Sequence, residues 1–157
     1  MKDLHIITEQ TVALPDTPYQ ARHFIDGKHC ESADGKVSDR ISPSHGDLVS
    51  QAALGGVTET EAAIKAARAA FDDGRWSRLS SKDRAAVLNK VADLIEANVE
   101  RMALMETLES GKPISQARGE CGGAADLWRY AASLARTSTG DSHNSLGPDI
   151  LGVVLKE

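Results

Sequence analysis

Residues 80–113 read SSKDRAAVLNKVADLIEANVERMALMETLESGKP, and the spacing of their apolar side chains decides how the chain is built. Val87, Leu88, Val91, Leu94, Ile95, Val99, Met102, Met105 and Leu108 recur three and four residues apart. That is the apolar face of an amphipathic helix, sustained for about seven turns. Ser80, followed three residues later by Asp83, resembles a capping box with Asp in place of the usual Glu. Gly111 and Pro113 end the pattern. Asn98 lies on the apolar face and is a good N-cap residue, so the stretch predicts a kink there or two helices, 81–97 and 99–110. A face of this length calls for burial, and most of the packing should follow from it.

Working outward, the 157 residues suit one domain and can bury a real core. The apolar fraction is 41% but the aromatic fraction only 4%, and much of the apolar content is alanine. Alanine lets elements approach closely yet buries little area, so internal stabilisation should be thin and a partner surface useful. The net charge of −5 argues against nucleic acid or an acidic membrane surface as partner. No apolar run approaches the ~18 residues of a membrane span. The N-terminus has no uninterrupted apolar core or small-residue cleavage site of a secretory signal. Cys30 and Cys121 are far apart with no CxxC spacing, which fits free thiols in a reducing compartment. The expected location is therefore cytoplasmic.

Upstream of the helical centre, residues 1–21 are polar and weakly patterned and are expected to form a flexible tail. Phe24-Ile25, Asp26-Gly27 and Lys28-His29 give a two-residue hairpin signal. Val37–Ile41 and Leu48–Leu54 extend this to a small antiparallel meander, with a turn at residues 42–47. Thr58 and Glu61 suggest a capping box for a helix over 59–72, whose Ala63, Ala66, Ala67, Ala70 and Phe71 form a small-residue face. Trp76, in the following loop, is expected to plug the core.

Downstream, residues 114–136 read as a third helical region. Gly119, Gly122 and Gly123 each weaken it by up to ~1 kcal/mol relative to Ala, which invites a kink or a close approach by another group. After a polar linker, residues 150–156 (ILGVVLK) read as a strand with no local hairpin partner.

Chemistry is sparse in the residues themselves. The five histidines lack metal-ligand spacing. Gly111-Lys112 fails as a phosphate loop, because Glu106 and Pro113 stand where Gly and Ser or Thr are needed. Gly119, Gly122 and Gly123 follow helical sequence rather than a strand, so they are not a dinucleotide fingerprint. There is no serine nucleophile elbow.

The wording of the segments is nonetheless distinctive. FIDGK, SPSHGDLVSQAALGGVTETEAAIKAARAAFDDGRW, RAAVLNKVADLIEANVERMALMETLESGKPISQARG and DLWRYAASLA occur in this order. They closely resemble the N-terminal part of the NAD(P)-dependent aldehyde dehydrogenase superfamily, METLESGKPI most specifically. The tone is similar to the branch acting on aminoaldehydes, betaine aldehyde and aliphatic aldehydes. The resemblance implies an α/β fold: the N-terminal β-hairpin and helices of a cofactor domain over 22–136, then a linker and one strand of the oligomerisation sheet over 137–157. The Rossmann core and catalytic domain are absent from this chain. So are the family's Pro-Trp-Asn-Phe-Pro motif, the glycine-rich cofactor contacts, the general-base Glu and the nucleophilic Cys, and neither Cys30 nor Cys121 matches the nucleophile's motif. No catalytic or cofactor-binding residue is therefore assigned.

What the resemblance does imply is a set of peripheral positions. A monovalent cation would lie near Glu109 and the main-chain carbonyls of Arg40 and Ile41, although relatives usually have Asp at the first position; a helix-end carboxylate would read the same. Gly123 would leave a wide substrate entrance, and Glu120 would favour a cationic substrate there. A packing contact and an ordinary exposed Glu are the alternatives. The expectation is an enzyme segment, inactive alone, that in complete form oxidises a small-molecule aldehyde to a carboxylic acid with NAD or NADP and forms a homo-oligomer through its last strand. The alternative is a non-catalytic truncated module that associates with full-length subunits.

Overall fold

The computed structural model describes residues 15–145 and 147–154. The chain order is β1 (Tyr19–Ala21), β2 (His23–Ile25), β3 (Lys28–Cys30), β4 (Val37–Ile41), β5 (Leu48–Ala53), α1 (Val57–Asp72), α2 (Ser81–Ala97), α3 (Val99–Ser110), α4 (Ile114–Thr137), β6 (Ser142–His143) and β7 (Gly152–Val153). The expectation for residues 1–14 and for residues 155 and 156 falls outside the described residues.

The central stretch forms two helices divided at Asn98. The Ser80 Oγ accepts the Asp83 N–H at 3.1 Å, and its own proton goes to Asp83 Oδ2 at 2.6 Å. The Asp carboxylate thus satisfies the capping hydroxyl. Asn98 does not cap α3 with its side chain; its Nδ2 donates back to the Leu94 carbonyl at 2.8 Å. Gly111 ends α3 in the left-handed conformation, φ +75°, and Pro113 leads into α4.

α4 lies against both helices. Ala85 and Ala92 of α2 and Ala125 and Ala132 of α4 are all buried, so the contact runs between small side chains. Ala103, Ile114, Ala117 and Cys121 form the core cluster between α3 and α4, with Val99 against it. The apolar face read from the sequence is only partly covered. Leu108 is buried, whereas Val87, Leu94 and Met102 stay exposed.

The β region departs from the expected meander. Asp26 and Gly27 both take positive φ, as their turn requires, and join β2 to β3 in a separate antiparallel pair. A three-stranded sheet has the order β1-β5-β4. β5 is antiparallel to β4 but parallel to β1. The end of the expected tail is thus a strand, Tyr19–Ala21, bonded to β5. Apolar alternation fixes which face of a strand is buried, not the direction of its neighbour. β5, with Val49 and Ser50 buried, is the central strand.

Three local expectations also change. α1 begins earlier, at Val57, with Gly56 as N-cap, and Glu59 rather than Glu61 supplies the carboxylate. Its Oε2 accepts the Gly56 N–H at 2.7 Å and its Oε1 the Ala33 N–H at 2.8 Å. Of the small-residue face, Ala66 and Ala70 are half-buried while Ala63, Ala67 and Phe71 are exposed, the Arg68 guanidinium lying 4.5 Å from the Phe71 ring centre. Trp76 is 44% exposed and plugs nothing. Near the end of the chain, β7 pairs antiparallel with β6, so the strand expected to lack a local partner has one.

Candidate functional site

Glu109, at the end of α3, is carried against the sheet. Its Oε1 accepts the hydroxyl proton of Ser50, which is 1% exposed on β5. Ser50 is opposite Arg40 on β4, and the register slips between Arg40 and Ile41. A slip of this kind disrupts the ladder locally. The structure therefore brings Glu109, through Ser50, to the strand rung that holds Arg40. These are oxygen donors, the kind hard cations take. One carboxylate oxygen is already engaged by the serine, so a cation here would share Glu109 with Ser50. Among the described residues, no group of three or more His, Cys, Asp or Glu side chains could hold a metal ion.

Glu109 also borders an open groove of about 590 Å³. Tyr19 and Ala21 form one wall; Val91, Leu94, Ile95, Met102 and Met105 form the other. The groove is the uncovered part of the α2–α3 apolar face.

Glu120 and Gly123 lie on α4, away from the Glu109 rung in sequence but joined to α3 by a charge cluster. Lys112 Nζ is 2.9 Å from Glu106 Oε1 and 2.5 Å from Glu120 Oε2. Hydrogen bonds from the Lys112 ammonium hold the Glu106 carboxyl below the usual Glu range, and the Glu120 and Glu106 carboxylates push the Lys112 ammonium above its usual value. A Cβ added at Gly119, Gly122 or Gly123 would meet nothing within 4 Å, so these three positions face open space. Glu120 and Gly123 are open to solvent, and Glu109 is not adjacent to them in any described contact.

Two partners of these carboxylates were not found from sequence. Ser50 looked like one more strand residue, and Lys112 like the remnant of a failed phosphate loop. Only the fold, by setting β5 under α3 and turning the chain at Gly111, gives each its carboxylate. Cys30 is half-buried and Cys121 buried, both as free thiols. His23, on β2, meets Ser32 Oγ at 3.2 Å, and His45, in the turn before β5, meets Ser42 Oγ at 3.0 Å.

Residues 29–157 match the aldehyde dehydrogenase family. Aldehyde dehydrogenase family 2 member C4 of Arabidopsis thaliana is 33% identical over 148 residues, 94% of this chain and 29% of that protein. Betaine aldehyde dehydrogenase of Bacillus subtilis is 31% identical over 134 residues, 85% of this chain and 27% of that protein. Among solved structures, an NAD-dependent aldehyde dehydrogenase from Sinorhizobium meliloti superposes with a TM-score of 0.81 at 44% identity, over 90% of this chain and 30% of that one. The chain thus spans under a third of the length of these relatives. It belongs to the aldehyde dehydrogenase family, and its α/β fold is that of an N-terminal segment of such proteins.

Proposed function

We propose that these residues are the N-terminal segment of an NAD(P)-dependent aldehyde dehydrogenase that oxidises a small-molecule aldehyde, of the amino- or aliphatic class, to a carboxylic acid. The observation that carries this is the superposition on the Sinorhizobium meliloti enzyme over nine-tenths of the chain at 44% identity. A betaine aldehyde dehydrogenase of Staphylococcus aureus, with a TM-score of 0.76 at 32% identity, was solved in complex with NAD+. By that likeness the nicotinamide cofactor is NAD or NADP, and it would be held by protein outside these residues. The segment's part is structural. It supplies the sheet–helix platform, a monovalent-cation position at Glu109 with the Arg40 and Ile41 carbonyls, and an entrance helix bearing Glu120 and Gly123.

The 157 residues alone should be inactive. Thiolate attack, stabilisation of the tetrahedral oxyanion and hydride transfer to nicotinamide need groups this sequence does not supply. We place the protein in the cytoplasm, with both cysteines reduced, and in a homo-oligomer contacted through the β6–β7 region. The test is an assay of the full-length reading frame and of residues 1–157 with NAD+ or NADP+ and a panel of aldehydes. Reduced nicotinamide is expected from the former only. Turnover by residues 1–157 would overturn the inactivity, and none by the full-length protein would overturn the enzyme reading.

The uncovered faces favour a second reading, in which the segment is a non-catalytic module that seats on full-length subunits. Co-purification of tagged residues 1–157 with an untagged full-length subunit, without gain in turnover, would support it.

A further inference from the structure

The turn between α3 and α4 fixes one lysine between two carboxylates. Gly111 is left-handed at φ +75°, the Lys112 N–H donates to Ser110 Oγ at 3.2 Å, and Pro113 precedes α4. From there the Lys112 ammonium reaches both Glu106 and Glu120. The lysine side chain is 23% exposed, against 47% and 53% for the two glutamates. It is therefore the most enclosed member of the cluster, a pinned charge with a short reach to each partner.

We propose that Lys112 is a built-in counter-ion for Glu120, so that the entrance face of α4 favours cationic aldehydes less than an unpaired Glu120 would. This rests on the reading of Glu120 and Gly123 as entrance residues. An isolated carboxylate at a pocket mouth attracts a cationic substrate. Here a substrate ammonium gains the Glu120 contact only by displacing an ammonium already tethered beside it. The neighbouring charge on the same turn is spent too: Arg118 pairs with Glu100, its Nη2 2.8 Å from Oε2. Gly119, Gly122 and Gly123 add no side chain, so the stretch is uncluttered and its Glu120 charge already has a partner.

The test uses the full-length enzyme and two aldehydes of one shape, betaine aldehyde and its uncharged isostere 3,3-dimethylbutanal. The quantity read is the ratio of their kcat/KM values, in which any general loss of activity cancels. Lys112→Gln should raise the cationic-to-neutral ratio about three- to tenfold, the range for one unit charge a few ångströms away in partly solvated surroundings. Adding Glu120→Gln should return the ratio to the wild-type value or below, and Lys112→Arg should leave it within about twofold. An unmoved ratio in Lys112→Gln, or a rise that survives Glu120→Gln, overturns the proposal alone. Absence of aldehyde oxidation in the wild type overturns the enzyme reading and this proposal with it.

Discussion

Leu108 is the largest fully buried side chain, 1% exposed near the end of α3. Leu108→Ala should cost about 2–5 kcal/mol, from lost transfer energy and a void the helices cannot close. Urea denaturation, read as a lower midpoint at unchanged slope, checks it. Glu59 acts through charge instead. Its carboxylate accepts main-chain N–H groups from Gly56 and from Ala33, and these bonds hold its carboxyl below the ordinary Glu value of 4.5. A depressed carboxyl contributes stability that is present above the unfolded-state value and lost as pH falls through the folded one. Wild type should therefore be more stable than Glu59→Gln at pH 7, and the gap should close on acidification from pH 4.5 downward. Thermal midpoints of the two proteins across that range measure it. The sequence put the acidic cap at Glu61 because Thr58 is a recognised N-cap type. It could not show that the Ala33 N–H, 26 residues away, would also need Glu59.

At the scale of elements, the helix boundaries were the most legible feature. Ser80, Asn98 and Gly111 act within one turn of themselves, so local sequence contains the cause. Strand direction was not legible, because the partner of β5 is chosen by chain paths dozens of residues long. The glycines of α4 give a direct test. With open space around Gly119, Gly122 and Gly123, replacing Gly122 by Ala should stabilise the chain by about 0.5–1 kcal/mol. Gly111→Ala should destabilise by about 1 kcal/mol or more, since its φ is +75° and a Cβ there would lie 2.9 Å from Pro43 Cγ. Denaturation of both variants decides the signs. The same pair shows why the candidate site was half legible. Glu109 and Glu120 stood out as acidic positions of a familiar pattern, but Ser50 and Lys112 become their partners only once β5 underlies α3 and the chain turns back.

For the molecule as a whole, thin internal packing shows on its surface. Leu127 is 68% exposed, and Tyr130 and Leu134 on α4 and Ile64 and Phe71 on α1 are also exposed. Apolar surface of this kind promotes association. Residues 1–157 should self-associate at tens of micromolar, and Leu127→Glu with Leu134→Lys should shift them toward monomer without lowering helix content. Sedimentation velocity and far-ultraviolet dichroism measure the two halves of that expectation. The family was legible because its wording is spread along the chain, while no single pocket or cluster would have revealed it.

The parallel pairing of Tyr19–Ala21 with Ser50–Ala52 spans about 30 residues. During synthesis, at about 5–20 residues per second, the Tyr19–Ala21 strand waits some seconds before its mate exists. Its bonding edge is idle for that interval, and its docking belongs among the late steps of assembly, after the hairpin at Asp26-Gly27 has closed.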